Sequence, residues 1–150
     1  MKRLLLIALL AVMVFGCLEE KVVETTYKNG NPGIVKYYHK KSGELILDRE
    51  VVYYGNKQVK MDGEYKDELR DGMWKAWYES GKIWSEGEYR AGKRNGKGIY
   101  YHPNGKKYIE GFYRNDVRVG NWQFYDTAGV LTKEVNFDMV PESSGNDSLK

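Results

Sequence analysis

The sequence predicts an all-β protein, an elongated single-layer antiparallel meander of about five β-hairpin repeats of 24 residues each. Three observations predict this class. The 150 residues include 13 tyrosines, and 14% of the chain is aromatic, a composition that favours strands over helices. Three consecutive segments of 24 residues are similar to one another without a gap. Within these segments, side chains alternate with the period of two that is typical of strands.

The first seventeen residues form a separate element. Residues 1–3 have a basic start, and residues 4–15 are an unbroken apolar run of twelve. A bilayer-spanning helix needs ~20 residues, so an export signal over residues 1–16 is predicted instead. The stretch "VFGC" at 14–17 resembles the lipobox of bacterial lipoproteins. The resemblance implies cleavage before Cys17, whose sulfur and amine are then acylated. An ordinary secretory signal with an incidental cysteine is the alternative.

The charge balance excludes one class of partner. The chain has 24 Lys and Arg against 21 Asp and Glu, and removal of Lys2 and Arg3 with the signal leaves 22 against 21. A net charge of +1 lacks the basic footprint of a nucleic-acid-binding protein. Acylation of Cys17, the only cysteine, leaves no thiol for disulfides or catalysis. The sequence therefore predicts an exported, membrane-anchored lipoprotein, at the outer membrane or cell surface if the host is Gram-negative.

The three similar segments span residues 63–86, 87–110 and 111–134. The columns that they share are occupied by Tyr65, Tyr89 and Tyr113; Gly72, Gly96 and Gly120; Trp77, Tyr101 and Tyr125; Gly81, Gly105 and Gly129; and Glu86, Glu110 and Glu134. Upstream, "GIVKYYHKKSGELI" from Gly33 is interpreted as a drifted copy with one extra turn residue, and a further copy begins at 135–137 without finishing.

Each repeat is predicted to be a hairpin. The segment from Lys82 to Arg90 alternates strictly and indicates a strand. The segments "ESGK", "PNGK" and "TAGV" indicate tight turns, in which Gly81 and its equivalents supply a positive φ. At the other end of the hairpins, residues 90–95 are predicted to form a looser polar loop that Gly96 closes.

These columns resemble a known family. The pattern "GEYxxGxxxGxGxYYxPNGxxYxG" at 87–111 is similar to the MORN (membrane occupation and recognition nexus) repeat. The flanking segments "GMWKAWYESGKIWSEGEY" and "GNWQFYDTAGVLTKE" resemble its bacterial variant, which occurs in proteins of the YwqK antitoxin type. The resemblance covers residues 33–137. It implies single-layer hairpin repeats, a binding or scaffolding role and no catalytic centre.

Residue patterns that carry chemistry are weak here. The segment "GEYRAGKR" at 87–94 has the glycine and lysine spacing of a phosphate-binding loop, but Arg94 replaces the Ser or Thr that binds Mg²⁺, and the segment is a strand that runs into a loop with no helix after it. His39 and His102 occupy corresponding repeat positions and are interpreted as solvated residues beside turns. The glutamates at 86, 110 and 134 are interpreted as an outward-facing row that follows from repetition. No catalytic residue, metal ligand, cofactor or small-molecule substrate is expected.

Two sets of residues are candidates for binding. The aromatic set is predicted to contact a protein partner and consists of Trp74, Trp77, Trp84, Tyr101, Trp122 and Tyr125. The basic set, in the repeat at 87–110, would contact anionic lipid or a cell-wall polymer and consists of Lys93, Arg94, Lys97, Lys106 and Lys107.

The layout that follows has five parts. They are a signal peptide at 1–16, a lipidated cysteine and tether at 17–26, degenerate repeats at 27–62, regular repeats at 63–137 and a disordered tail at 138–150. The predicted function is a non-enzymatic, membrane-anchored module that binds or scaffolds a protein partner, with an antitoxin or immunity protein as a special case. The alternative is an envelope structural protein that lies on anionic lipid through its basic repeat.

Overall fold

The computed structural model describes residues 19–139, which form one open antiparallel sheet of ten strands in sequence order. The strands are β1 (Glu20–Thr26), β2 (Pro32–Lys41), β3 (Glu44–Tyr53), β4 (Val59–Lys66), β5 (Leu69–Trp77), β6 (Ile83–Arg90), β7 (Lys93–Tyr101), β8 (Lys107–Arg114), β9 (Val117–Tyr125) and β10 (Leu131–Asn136). A short 3-10 helix, Phe137–Met139, follows β10. The predicted single-layer meander is confirmed, and at ~4.8 Å per strand the sheet is about 50 Å wide.

The five hairpins β1–β2, β3–β4, β5–β6, β7–β8 and β9–β10 have the same type of turn. In the turn of β5–β6, the amide of Tyr78 donates to the carbonyl of Lys82 at 2.8 Å, and the amide of Gly81 donates to the carbonyl of Tyr78 at 2.9 Å. The other four turns, which begin at Tyr27, Tyr54, His102 and Asp126, have the same pair of hydrogen bonds. Gly81 has a φ of +83°, so the predicted positive φ is confirmed. A bulge at Trp84 follows the turn, and its equivalents follow the other four.

The opposite edge of the sheet differs from the prediction. Residues 90–95 do not form a loose loop, because β6 continues to Arg90 and β7 begins at Lys93. Ala91 and Gly92 alone make the turn, with φ of +48° and +81°. Two consecutive residues of positive φ form the tight hairpin turn whose twist matches the flanking strands. Gly96 instead lies within β7, where its φ of +125° permits a break in the pairing with β6.

The drifted copy was assigned in the wrong phase. The turn at Ser42 and Gly43 lies on the edge of the two-residue turns, not on the edge of Gly81. The first hairpin turn begins at Tyr27 and the second at Tyr54, and this interval is longer than the constant interval that separates the later turns. The extra residues lengthen β2 and β3, each of which has 10 residues.

The ends of the sheet also depart from the predicted layout. Glu20–Thr26 is strand β1 and pairs with β2, so this part of the predicted tether has regular structure. Its β-branched residues, such as Val22 and Val23, favour that state although every residue of the strand is exposed. At the other end, Phe137–Met139 is ordered, and the remainder of the predicted tail lies outside the described residues.

Candidate binding site

A row of aromatic rings crosses one face of the sheet, which we call the row face. Trp74 lies between Tyr65 and Tyr89, with ring centroids 5.4 Å and 6.0 Å away. Trp122 lies between Tyr113 and Phe137 in the same way, at 4.8 Å and 5.9 Å. All of these contacts are edge-to-face or nearly so, an arrangement that adds to the energy of burial. Trp74 and Trp122 are 4% and 0% exposed, so both are core residues.

Each tryptophan rests on a glycine of the neighbouring strand. A Cβ built on Gly63 would meet the ring of Trp74 at 2.1 Å, and one built on Gly111 would meet the ring of Trp122 at 2.3 Å. Real Cβ atoms do not approach this closely, so glycine is required under both rings. The floor of the row is therefore made by the first residue of each repeat.

An arginine covers each tryptophan from the other side. The guanidinium of Arg70 lies 4.0 Å from the ring centroid of Trp74, and that of Arg118 lies 4.7 Å from the centroid of Trp122. The indole N–H groups donate to backbone carbonyls ten residues earlier, at 3.0 Å and 3.2 Å. Each indole is thus held by a glycine floor, two flanking rings, a stacked cation and a hydrogen-bond acceptor.

The repeat at 87–110 keeps this frame but lacks the indole. Gly98 occupies the position that Trp74 and Trp122 occupy in the adjacent repeats. A Cβ on the floor residue Gly87 would meet nothing closer than backbone atoms at 3.8 Å. Arg94, the equivalent of Arg70, stacks on Tyr113 at 4.3 Å instead.

A cavity of about 220 Å³ opens where the indole is missing. Its aromatic lining is provided by Trp74, Trp84, Tyr89, Tyr100 and Tyr113. Gly87 and Gly98 contribute backbone, and Arg70 and Arg94 contribute two cationic side chains. Tyr100 and Tyr113 join their hydroxyls at 3.2 Å, and burial raises the pKa of Tyr100 to about 12, so this hydroxyl stays protonated at neutral pH.

The opposite face, which we call the glutamate face, carries the recurrent carboxylates. Tyr101 hydrogen bonds Glu86, and Tyr125 donates to Glu110 at 2.8 Å. Glu110 also accepts from Lys107 at 2.9 Å and from Lys97 at 3.0 Å. Burial acts to raise the pKa of Glu110, but hydrogen bonds from the two lysines and Tyr125 outweigh it and hold the pKa at about 2. The network gives Glu86 and Glu110 a structural role, and the prediction of an outward-facing row is wrong for Glu110, which is 9% exposed.

The six residues of the aromatic set do not share a face. Trp77, Tyr101 and Tyr125 lie on the glutamate face, because they alternate with residues of the row face along their strands. Trp122 is fully buried and offers no surface to a partner, whereas Trp74 is 4% exposed and reaches the surface only as part of the cavity lining. Trp84 lies at a bulge beside Tyr100 and is 46% exposed, which makes it the accessible tryptophan of the cavity.

The structure does not bring the basic set together either. Lys97 and Lys107 bind Glu110 on the glutamate face. Arg94 pairs with Asp116 at 3.1 Å and also stacks on the ring of Tyr113. Lys106 lies at a hairpin turn, where it donates to the carbonyl of Ala128 at 2.6 Å. Lys93 is exposed at the opposite edge. Four of these five cations therefore have partners within the sheet.

The histidines have unrelated environments. His102 follows the equivalents Tyr54 and Tyr78 at the head of a turn, and its Nε2 lies 3.0 Å from the carbonyl of Tyr125. His39 is inside β2, with Nδ1 2.7 Å from Asp48, so the predicted equivalence of the two histidines is wrong. Within residues 19–139, no group of three or more His, Cys, Asp or Glu side chains is placed to hold a metal ion. Residues 87–94 form the end of β6, a turn and the start of β7.

The fold and the aromatic columns define a β-hairpin repeat protein, and comparison with known families gives the type of repeat. Residues 86–107 match the family described as MORN repeat, and residues 70–91 and 118–139 match the family described as MORN repeat variant. Residues 70–107 and 118–139 are therefore similar to MORN repeats. The two variant matches contain Trp74 and Trp122, and the other match contains Gly98. No curated protein and no solved structure matches the chain.

Sequence inspection alone missed the cavity, although the signal is present. The columns Arg70, Arg94 and Arg118, and Trp74, Gly98 and Trp122, recur with the spacing of the repeat. A ring replaced by glycine within an otherwise regular aromatic column indicates a gap. Cys17 and the predicted signal lie outside the described residues. Among the residues described, no helix has the length and apolar character that crossing a membrane requires.

Proposed function

We propose that the chain is a non-enzymatic binding module that captures a protein partner on the row face. The observation that carries this proposal is the open cavity of about 220 Å³, lined by five aromatic rings, on a sheet face that no second layer within residues 19–139 covers. Tryptophan, tyrosine and arginine are the residues that dominate binding energy at protein interfaces. All three types converge at this cavity.

The lipid-binding alternative has less support. Contact with an anionic membrane requires basic side chains that project from one surface. Arg94, Lys97 and Lys107 are each paired with a carboxylate, and Lys97 lies on the face opposite to Arg94. Pairing of this kind reduces the charge available to headgroups, and the exposed pairs are further screened by salt.

The proposal includes membrane attachment through Cys17. Two or three acyl chains on this residue would hold the protein stably at a bilayer. The sheet would then be free to present the row face to other molecules. An antitoxin or immunity protein is one case of this function, in which the captured partner is a toxin.

Site-specific photo-crosslinking in the producing cell tests the proposal. A photoreactive phenylalanine analogue at Trp84 should yield a discrete protein adduct, because this side chain is half-exposed at the mouth of the cavity. The same analogue at Thr127, in an exposed turn, is the matched control and should yield none. Adducts with lipid alone, or equal protein adducts at both positions, would contradict the proposal.

A further inference from the structure

We infer that the cavity at Gly98 is a receptor for a tryptophan side chain supplied by the protein partner. This inference rests on the proposed function and names the chemical group that the row face recognises. The neighbouring repeats of the same chain show how this frame holds an indole.

The floor of the cavity is prepared for a ring. Under Trp74 and Trp122, the floor glycines are in such close contact that a Cβ would lie 2.1 Å and 2.3 Å from indole atoms. At Gly87 the equivalent space has no side-chain atom within 4 Å of the Cβ position. A planar group could therefore lie against Gly87 at van der Waals distance, as the two intrinsic indoles do against their glycines.

The sides of the cavity supply the remaining contacts. Tyr89 and Tyr113 lie in the column whose members flank each indole of the row, and Arg94 lies in the column that stacks on it. Glu88 lines the cavity and is the counterpart of Glu64, whose carbonyl accepts the N–H of Trp74. The chemistry that completes the row is thus an aromatic ring with one N–H donor.

The size of the cavity agrees with this occupant. An apolar cavity of about 150 Å³ accepts benzene, and the cavity here has about 220 Å³. Indole is larger than benzene by one fused ring. A leucine side chain has neither the planar shape that lies on a glycine floor nor the face that attracts Arg94.

The test uses the full-length chain in mild detergent and a fluorinated probe, N-acetyl-5-fluorotryptophanamide, observed by ¹⁹F NMR. We expect saturable binding at about millimolar concentration, the weak range for one side chain. Unlabelled N-acetyltryptophanamide should displace the probe, and N-acetylleucinamide should not. Equal displacement by the two competitors would overturn the inference.

Two variants fill the cavity in different ways, so the test does not depend on the correct folding of either one alone. Gly98→Trp restores the missing indole and requires the Tyr113 ring, which lies 2.9 Å from the Cβ position, to move aside. Gly87→Leu fills the space from the floor. Each should weaken probe binding at least about tenfold, while Lys93→Trp, which adds the same ring at an exposed site of β7, should not. Retained binding in both filled variants would contradict the inference.

The same variants separate this inference from the proposed function. If Gly98→Trp retains the crosslink at Trp84, a partner binds the row face without using the cavity, and the inference alone fails. If the chain with the photoreactive analogue at Trp84 and no other change gives no crosslink, while the wild-type chain binds the probe, the proposed function fails instead. Loss of both signals in Gly98→Trp, with unchanged circular dichroism, is the expected result.

Discussion

The hydroxyl of Tyr78 donates a hydrogen bond of 2.7 Å to the backbone carbonyl of Tyr101 and so links the turn of one hairpin to the last residue of β7. Tyr54 bonds the carbonyl of Trp77 at 2.8 Å, Tyr27 bonds that of Tyr53 at 2.8 Å, and His102 continues the series. A single-layer sheet has little core, so these bonds along the turn edge add cohesion between successive hairpins.

Removal of one such bond should lower stability measurably. We expect Tyr78→Phe to reduce the free energy of unfolding by about 1 kcal/mol, since the carbonyl of Tyr101 loses its partner in a partly buried place. Urea denaturation measures the change. Tyr108→Phe is the control, because this exposed hydroxyl makes no hydrogen bond in the part of the chain that the structure describes, and it should have little effect.

The glycine floor predicts a sharp contrast between two equivalent positions. Gly111→Ala should destabilise the protein by about 1–3 kcal/mol, because the new methyl group would displace the ring of Trp122. Gly87→Ala should change the free energy of unfolding much less, since its Cβ has room. Equal losses in the two variants, measured by thermal unfolding, would show that the space above Gly87 is occupied.

The turn glycines allow a test of backbone strain without steric effects. Gly105 has a φ of +91°, and a Cβ there would meet nothing within 4 Å. Gly105→Val should cost about 1–2 kcal/mol, because a β-branched side chain resists positive φ. Gly105→Lys should cost less, since Lys57 adopts a φ of +70° at the equivalent turn position. Thermal unfolding measures both variants, and the melting temperature of Gly105→Lys should be higher than that of Gly105→Val.

The Glu110 network makes stability depend on pH. Its folded pKa of about 2 lies below the ordinary value of 4.5, so its ionised form stabilises the fold fully above pH 4.5. This contribution is lost as the pH falls through the folded pKa. Wild type should exceed Glu110→Gln by about 2 kcal/mol at pH 7, and the difference should shrink toward zero between pH 4.5 and 2.

A control variant separates this network from general acid denaturation. Glu134 is the equivalent residue of the next repeat, but it is exposed, and within residues 19–139 its side chain accepts a hydrogen bond only from the amide of Gln123, at 3.2 Å. Glu134→Gln should therefore follow the wild-type pH profile closely. Parallel profiles for wild type and Glu110→Gln would contradict the assignment of a low pKa to Glu110.

The membrane anchor is tested by labelling. Because Cys17 is the only cysteine and ends a lipobox-like stretch, labelled fatty acid should enter the wild-type protein in cells. Cys17→Ser should remain unlabelled and keep its signal segment, which a shift in gel mobility reports. Incorporation of label into both proteins would refute lipidation at this residue.

The fold was accessible from the sequence because repetition makes its signals redundant. Strand alternation, turn glycines and a constant repeat length all agree at Gly81, Gly105 and Gly129. The prediction failed where the sequence departs from the regular repeat. The interval from the first turn to the second is longer than the others, and Ala91, a non-glycine at positive φ, gives no sign that residues 91 and 92 form a tight turn.

The site was harder to predict because burial in a single sheet depends on three-dimensional neighbours. Trp84 and Trp122 are equally aromatic in the sequence, yet their exposed fractions are 46% and 0%. The difference arises because Trp122 lies over Gly111, whereas Trp84 lies at a bulge beside a turn. Alternation along a strand assigns a face, but only the adjacent strands decide whether that face is covered.

The meander order has a consequence for how such a protein can change. Each strand pairs only with its sequence neighbours, so no long-range closure ties the first hairpin to the last. Duplication of residues 87–110 would lengthen the sheet by one hairpin and add a second strand that has glycine in place of the indole, while the Tyr89 of the new copy would take the place of Tyr113 beside the first cavity. The number of such cavities can therefore change by gain of whole repeats. Whether a given cavity is open or filled can change by a single substitution at Gly98.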